Sequence, residues 1–405
     1  MRIKALLFAL ALASLSCSLL APVTPGATQP VVEPLSTDTA TAPLLGLAPA
    51  GVLLRPNTGE TSGTVRFLNA DGAALGELLA PYADEMHYAG RITGALDSSL
   101  VFHSMGPSGS RSLNLNSGQA PSNRAAGVVT SLVALTPDQY LAGLVGAPGT
   151  STIFYIIFAP SGDLLRSTFI VGDLNAVTSA APVLTMDSNE SRYWKPVAIQ
   201  TASGAPESVW FTRTPWGIGG DIIYWYYEGL SSLNLATGEV TQILPPDAQF
   251  NSTSPDQAWL AYATSTDGRP ALSIRASHGG EPILLPARPE MDRGAGDAVF
   301  SPSDRYVAWR EAQGSLFEGA LRQVIRVATL DGNVVAEFND TAFIQAAGLG
   351  TEGREMRPVA WLDDDNLLVQ VFAYDQTPAG MLVRLNLPTS GVSLFAPGVF
   401  GGLLY

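Results

Sequence analysis

The chain has 405 residues, 46% of them apolar and only 14% charged, with a formal net charge of −14. That content supports a large buried core, but lysine occurs only at Lys4 and Lys195 and no basic run exists, which argues against a nucleic-acid surface because phosphate neutralisation needs clustered cations. Cys17 is the only cysteine, so no intrachain disulfide forms.

Arg2 and Lys4 precede an apolar run from Ala5 to Leu15, shorter than the roughly 20 residues that a spanning helix needs. Ser16 and Cys17 follow. This N-terminus resembles a bacterial lipoprotein signal, with one departure: Ser14 stands where such signals usually carry Leu, and Leu15 comes one place late. The resemblance implies that residues 1–17 are a signal and that Cys17 becomes the lipidated first residue. Two other readings stay open. A secretory signal cut nearby would discard Cys17, and an uncleaved anchor would count the apolar stretch on to Val23. Two positive charges at the front and no later hydrophobic span point to export of everything that follows. Residues 18–43 carry Pro22, Pro25, Pro30, Pro34 and Pro43 among Thr, Ala and Ser. Such a stretch buries no core and reads as an extended tether.

From residue 44 onward a Leu/Val-rich strand followed by a Gly-centred hairpin recurs, with its glycine at Gly72, Gly118, Gly162, Gly238, Gly279, Gly332 and Gly391. The spacings are 46, 44, 76, 41, 53 and 59 residues, so the long interval reads as one unit with an insertion. The fullest unit is Val299–Phe338. It opens with Val299-Phe300, turns at Ser301-Pro302-Ser303-Asp304, and continues with Tyr306-Val307-Ala308-Trp309. A second run, Val324–Leu330, leads to a two-residue hairpin at Asp331-Gly332, and Val334–Phe338 pairs back. Four short strands in about 40 residues make one blade of a β-propeller. The expected fold is all-β: about seven four-stranded blades over residues 44–405, closed by pairing N- and C-terminal strands. The closing strand is Val392–Phe395 or Gly398–Tyr405, beside the first blade near Leu44–Leu54. One short helical turn is expected within Thr341–Leu349.

Ser254-Pro255-Asp256-Gln257-Ala258-Trp259-Leu260 nearly repeats Ser301–Trp309, and Thr136–Ala142 and Trp361–Val369 are looser copies. These units resemble the WD40-like repeats of TolB-type propellers and the propeller halves of prolyl oligopeptidase relatives. The shared residues are those of turns and strands, so the resemblance implies a fold rather than an activity. No Gly-x-Ser-x-Gly elbow occurs, and the catalytic half of the peptidases is missing.

The aromatic stretch around Gly217–Asp221 is the most unusual feature: Trp210, Trp216, Tyr224, Trp225, Tyr226 and Tyr227. Its ordinary reading is blade core. Its functional reading is a binding platform at Trp216, Tyr224, Trp225 and Tyr227, because Tyr and Trp offer large contact areas with a polar handle. Gly348–Gly353 has the letters of a dinucleotide fingerprint but no strand–helix context. Asp363-Asp364-Asp365 reads as a solvated turn, and His87, His103 and His278 lack metal spacing. No metal or cofactor is expected. The sequence thus points to an extracytoplasmic propeller, membrane-tethered through Cys17, that binds a protein or an envelope polymer without catalysis. The alternative is a carbohydrate-active enzyme, a glycoside hydrolase or lyase, with carboxylates at the propeller channel.

Overall fold

A computed structural model describes residue 49 and residues 51–55, 62–81, 86–89, 100–105, 109–114, 122–125, 128–136, 139–145, 165–173, 181–188, 192–202, 205–215, 227–266, 269–315, 321–350, 354–373 and 380–404. Residues 1–43, where a signal ending at Cys17 and a tether were expected, lie outside these residues.

In chain order the strands are Gly51–Arg55 (β1), Ser62–Asn69 (β2), Ala74–Pro81 (β3), Met86–Ala89 (β4), Leu100–Met105 (β5), Gly109–Asn114 (β6), Ser122–Ala125 (β7), Val128–Thr136 (β8) and Gln139–Val145 (β9). Then come Leu165–Asp173 (β10), Ala181–Ser188 (β11), Arg192–Ala202 (β12), Ala205–Pro215 (β13), Glu228–Asn234 (β14), Val240–Thr253 (β15), Trp259–Thr266 (β16), Arg269–Ala276 (β17) and Ile283–Leu285 (β18). The last are Gly294–Phe300 (β19), Tyr306–Gln313 (β20), Arg322–Thr329 (β21), Val334–Asn339 (β22), Arg354–Trp361 (β23), Asn366–Ala373 (β24), Gly380–Asn386 (β25), Gly391–Pro397 (β26) and Val399–Leu404 (β27). A helix, Asp340–Ala346 (α1), follows β22 directly and overlaps the stretch Thr341–Leu349 where one turn was expected.

Among the described residues these strands form antiparallel sheets in the orders β27-β1-β2-β3, β4 to β7, β8 to β11, β12 to β18, β19 to β22 and β23 to β26. The long sheet is two blades sharing β15. The first part of β15 pairs with β14 (Leu230↔Leu244, Leu233↔Val240), and its second part pairs with β16 (Gln249↔Ala263, Thr253↔Leu260). Pro245-Pro246 separates the two parts, as expected of residues without an N–H to give the ladder. Divided there, the described strands make seven blades of four.

First strands of successive blades pack on one another, β4 on β8, β8 on β12, β15 on β19 and β19 on β23. Last strands face solvent, as in the alternating β22 and the largely exposed β26. Inner strands around an axis and exposed outer strands define a β-propeller. The core lies between blades: Ala308, Ile325 and Val327 of the sixth blade pack on Trp361, Leu367 and Val369 of the seventh, with Phe343 and Ile344 of α1 added. The last strand pairs with the first, from Gly51↔Leu404 to Arg55↔Val399. The closing segment is therefore the one within Gly398–Tyr405; Val392–Phe395 belongs to β26.

The inner strands other than β4 share a defect. Register shifts interrupt β8, β12, the second part of β15, β19 and β23 where each meets its neighbour, and β27 where it meets β1. Such bulges add twist and re-aim side chains.

Three expectations need correction. The hairpin at Asp331-Gly332 spans three residues: Thr329 N donates to Asn333 O at 3.0 Å, and Gly332 (φ 87°) is the left-handed member. A two-residue type I′ turn would need positive φ at Asp331 too. In the last hairpin the left-handed residue is Ser390 (φ 54°), because Gly391 already opens β26. Gly162 itself lies outside the described residues, but the outer pair of its blade is β10 and β11, which follow it in sequence, so the long interval is no single insertion. The third blade turns between Asp173 and Ala181, where the sequence has no glycine.

Candidate functional site

The two ends of the inner strands are built differently. At one end, tight turns join first to second strands, as between Ala202 and Ala205 or Trp361 and Asn366. At the other, second strands connect to third. The longest of these connectors, residues 146–164 and 216–227, both belong to adjacent blades, the third and fourth. Rigid strands carrying long loops on one side are the usual geometry of a binding face.

Polar side chains from the inner part of three blades gather at that loop-bearing end. Arg310 of β20 is fully buried. Its Nη2 lies 2.5 Å from Asp297 Oδ2 and its Nη1 3.1 Å from Glu355 Oε1. Arg310 Nη1 also donates to Gln323 Oε1 at 3.0 Å, and Gln323 Nε2 donates to Arg354 O at 3.1 Å. Arg357 Nη2 meets the same Glu355 oxygen at 3.2 Å. Asp297 sits on the bulge of β19 with φ 56°, an uncommon conformation for a residue with a Cβ. The strain is supported from the fifth blade, where Asn251 Oδ1 accepts Ala298 N at 3.2 Å and Ser252 Oγ donates to Ala298 O at 2.6 Å.

The fourth blade contributes a second cluster. Lys195 Nζ donates to Tyr227 Oη at 2.7 Å and lies 4.7 Å from the ring centroid. The Lys195 ammonium holds the Tyr227 phenol below the usual tyrosine range, with burial opposing it. Arg357 pulls in the same direction and Asp297 against it, so both clusters act on one phenol. Arg213 pairs with Glu228 at 2.9 Å, and Thr212 Oγ1 donates to Gly229 O at 2.8 Å, fixing the start of β14 just after Tyr227. Gln249 Oε1, opposite Glu228 in the ladder, is a buried acceptor without a hydrogen-bond partner.

Of the platform residues, Tyr227 is described and is partly buried against the core of the fourth and fifth blades. Trp216, Tyr224 and Trp225 lie outside the described residues. Trp210 is core, 6% exposed. Asp363 acts as a turn acceptor for Asp365 N at 2.8 Å and Asn366 Nδ2 at 2.9 Å, and among the described residues no acidic or His cluster has metal-holding geometry. The sequence reading missed Lys195, Asp297, Arg310, Glu355 and Arg357. The visible signal was charge inside strands otherwise apolar, as in Ala308-Trp309-Arg310-Glu311.

No protein-family model and no curated protein matches the chain. Among solved structures it is similar to TolB from Acinetobacter baumannii at 12% identity and a TM-score of 0.40, over 73% of this chain and 65% of that one. It is similar also to the β-propeller domain of the trilobed protease from Pyrococcus furiosus, at 10% identity and a TM-score of 0.49, over 87% of this chain and 97% of that one. A puromycin-hydrolyzing peptidase from Mycobacterium tuberculosis matches at 11% identity and a TM-score of 0.49, over 89% of this chain and 56% of that one. The chain thus spans just under two thirds of that TolB, at 65%. The likeness is one of fold.

Proposed function

We propose that the protein is a non-catalytic β-propeller that holds a protein partner or an envelope polymer at its loop-bearing end. The observation that carries this reading is a coincidence at one end of the axis: the strand ends that flank the two longest connectors of adjacent blades lie at the same end as the Lys195–Tyr227 and Arg310–Asp297–Glu355 clusters. Trp216, Tyr224 and Trp225 belong to the connector that ends at Tyr227. In this reading they supply aromatic anchors above a polar, pre-organised floor. Asp297 and Glu355, carboxylates of the inner strands β19 and β23, share one guanidinium, an ion-pair arrangement that supports a scaffold rather than an acid–base pair.

Export and anchoring belong to the same proposal. The N-terminal segment delivers the propeller outside the cytoplasm, and Cys17 carries the lipid. Among the described residues no helix is long and apolar enough to cross a membrane.

Immobilised protein, wild type and Trp216→Ala/Trp225→Ala, is challenged with envelope extract and with purified envelope polysaccharides. A partner retained by wild type and lost from the variant supports the site. Equal capture of every partner removes it. Release of reducing ends or unsaturated sugars from any polysaccharide would replace the binder with the carbohydrate-active reading. Palmitate labelling abolished by Cys17→Ala supports the anchor, and labelling that persists or never occurs removes it.

A further inference from the structure

First strands of the fourth, fifth and seventh blades repeat one arrangement. Each has a register shift against its second strand, and the penultimate ladder pair before that shift is Lys195↔Thr212 in β12, Gln249↔Ala263 in β15 and Arg357↔Gln370 in β23. The sixth blade has the small Ala295 at this position, opposite Glu311. The local sequence repeats as well: Lys195-Pro196-Val197-Ala198 and Arg357-Pro358-Val359-Ala360. In both, a proline, with no N–H to give a ladder, stands at the last pair before the bulge. One level of the wheel, towards the end where second strands connect to third, therefore carries an ammonium, an amide and a guanidinium. The two cations come from blades three apart on a wheel of seven, so a segment entering along the axis meets one on each side.

The charges at this level are layered. The Arg357 side chain is 32% exposed, whereas Glu355, which it meets at 3.2 Å, is 10% exposed. Asp297, the other carboxylate of that cluster, is as deep as Glu355. Lys195 is half-buried, with its ammonium against the Tyr227 phenol. Each cation also lies over a ring, Lys195 4.7 Å from the Tyr227 centroid and Arg357 5.3 Å from that of Phe372, which holds both heads in place. Gln249 Oε1 is a buried acceptor that no donor reaches. Among the described residues, the accessible charge of this level is thus cationic, in a chain where 36 acidic residues outnumber 22 basic ones. We propose that it recognises a carboxylate-bearing peptide segment, with Lys195 and Arg357 meeting the carboxylates and Gln249 accepting a peptide N–H. The inference rests on the binding reading above and names the chemistry of the partner. A planar guanidinium beside an ammonium suits carboxylate oxygens. A long acidic polysaccharide would lie against a surface of like sign, at a net charge of −14, whereas a short acidic segment meets only the mouth.

The probes are an acetylated, fluorescently labelled glutamate-rich peptide, its glutamine counterpart and an oligogalacturonate, each titrated onto the full chain. Wild type should bind the glutamate peptide about tenfold or more tighter than the glutamine peptide, as expected of charge-assisted hydrogen bonds. That preference should shrink as salt is added and vanish in Lys195→Gln/Arg357→Gln. Equal binding of the two peptides to wild type overturns the proposal, and so does tighter binding of the oligogalacturonate. Should the double variant fail to fold, carbodiimide coupling on wild type places the site. Lys195 is the only lysine besides Lys4, so a glutamate peptide bound here should couple at Lys195. A bound peptide that leaves Lys195 uncoupled overturns the assignment. A partner captured through Trp216 and Trp225, with no preference for glutamate, would keep the binding end and remove only its acidic ligand.

Discussion

Arg310 shows how single residues carry this propeller. It is wholly buried, and its guanidinium contacts carboxylates from the inner strands of two blades. An Arg310→Met substitution keeps most of the side-chain volume but leaves Asp297 and Glu355 without their shared cation, which costs about 3–5 kcal/mol in comparable buried sites. Denaturant unfolding should show that loss, and Arg310→Met combined with Asp297→Asn and Glu355→Gln should recover part of it. An unchanged midpoint in the single variant would mean that the cluster does not hold the two blades. Lys195 makes a lighter demand. Its ammonium donates to Tyr227 and holds the phenol below the usual range. In Lys195→Met the Tyr227 phenol should titrate at higher pH than in wild type, readable by ultraviolet difference absorbance. Little of this was legible in the chain. Sequence shows that Arg310 interrupts an apolar strand, but not that Asp297 and Glu355 arrive from other strands. Which of the 36 acidic residues meet in space is a tertiary fact.

At the scale of elements the sequence was far more readable, because left-handed turns leave a one-letter trace. Gly72, Gly238, Gly279 and Gly332 all have positive φ at the outer hairpins where their spacing placed them. Gly162 misled because a strand-like run followed by Ser-Gly also occurs in a connector, and the true turn of that blade contains no glycine. Ser390 escaped notice because serine in a left-handed turn looks like any loop serine. The glycines are not equivalent, which yields a graded prediction. A Cβ at Gly238 meets nothing within 4 Å, so Gly238→Ala carries only the left-handed penalty, about 1–2 kcal/mol. A Cβ at Gly332 lies 2.9 Å from Ile283 Cγ2 of the neighbouring blade, so Gly332→Ala adds a packing conflict and should unfold at the lower denaturant concentration of the two. The reverse order would contradict the blade contact.

The whole molecule depends on inner strands that meet around one axis and on a last strand that finds the first. β27 completes the first blade by lying beside β1, where Val52 and Leu54 are fully buried. Without that partner β1 would present an open, apolar edge, the arrangement that invites association with other chains. The same architecture separates two ends: charged clusters at the one where second strands connect to third, short hydrogen-bonded turns at the other. The binding proposed at the first presupposes that the wheel is joined where its first and last strands meet. Val52 and Leu403 are direct partners across that join. In a Cys17→Ser background, Val52→Cys/Leu403→Cys should form a disulfide on mild oxidation, close to quantitatively, because paired strands bring Cβ atoms within bridging range. Val52→Cys/Phe400→Cys, off register, should not. Failure of the first pair, or equal bridging by both, would contradict a propeller joined through its last strand.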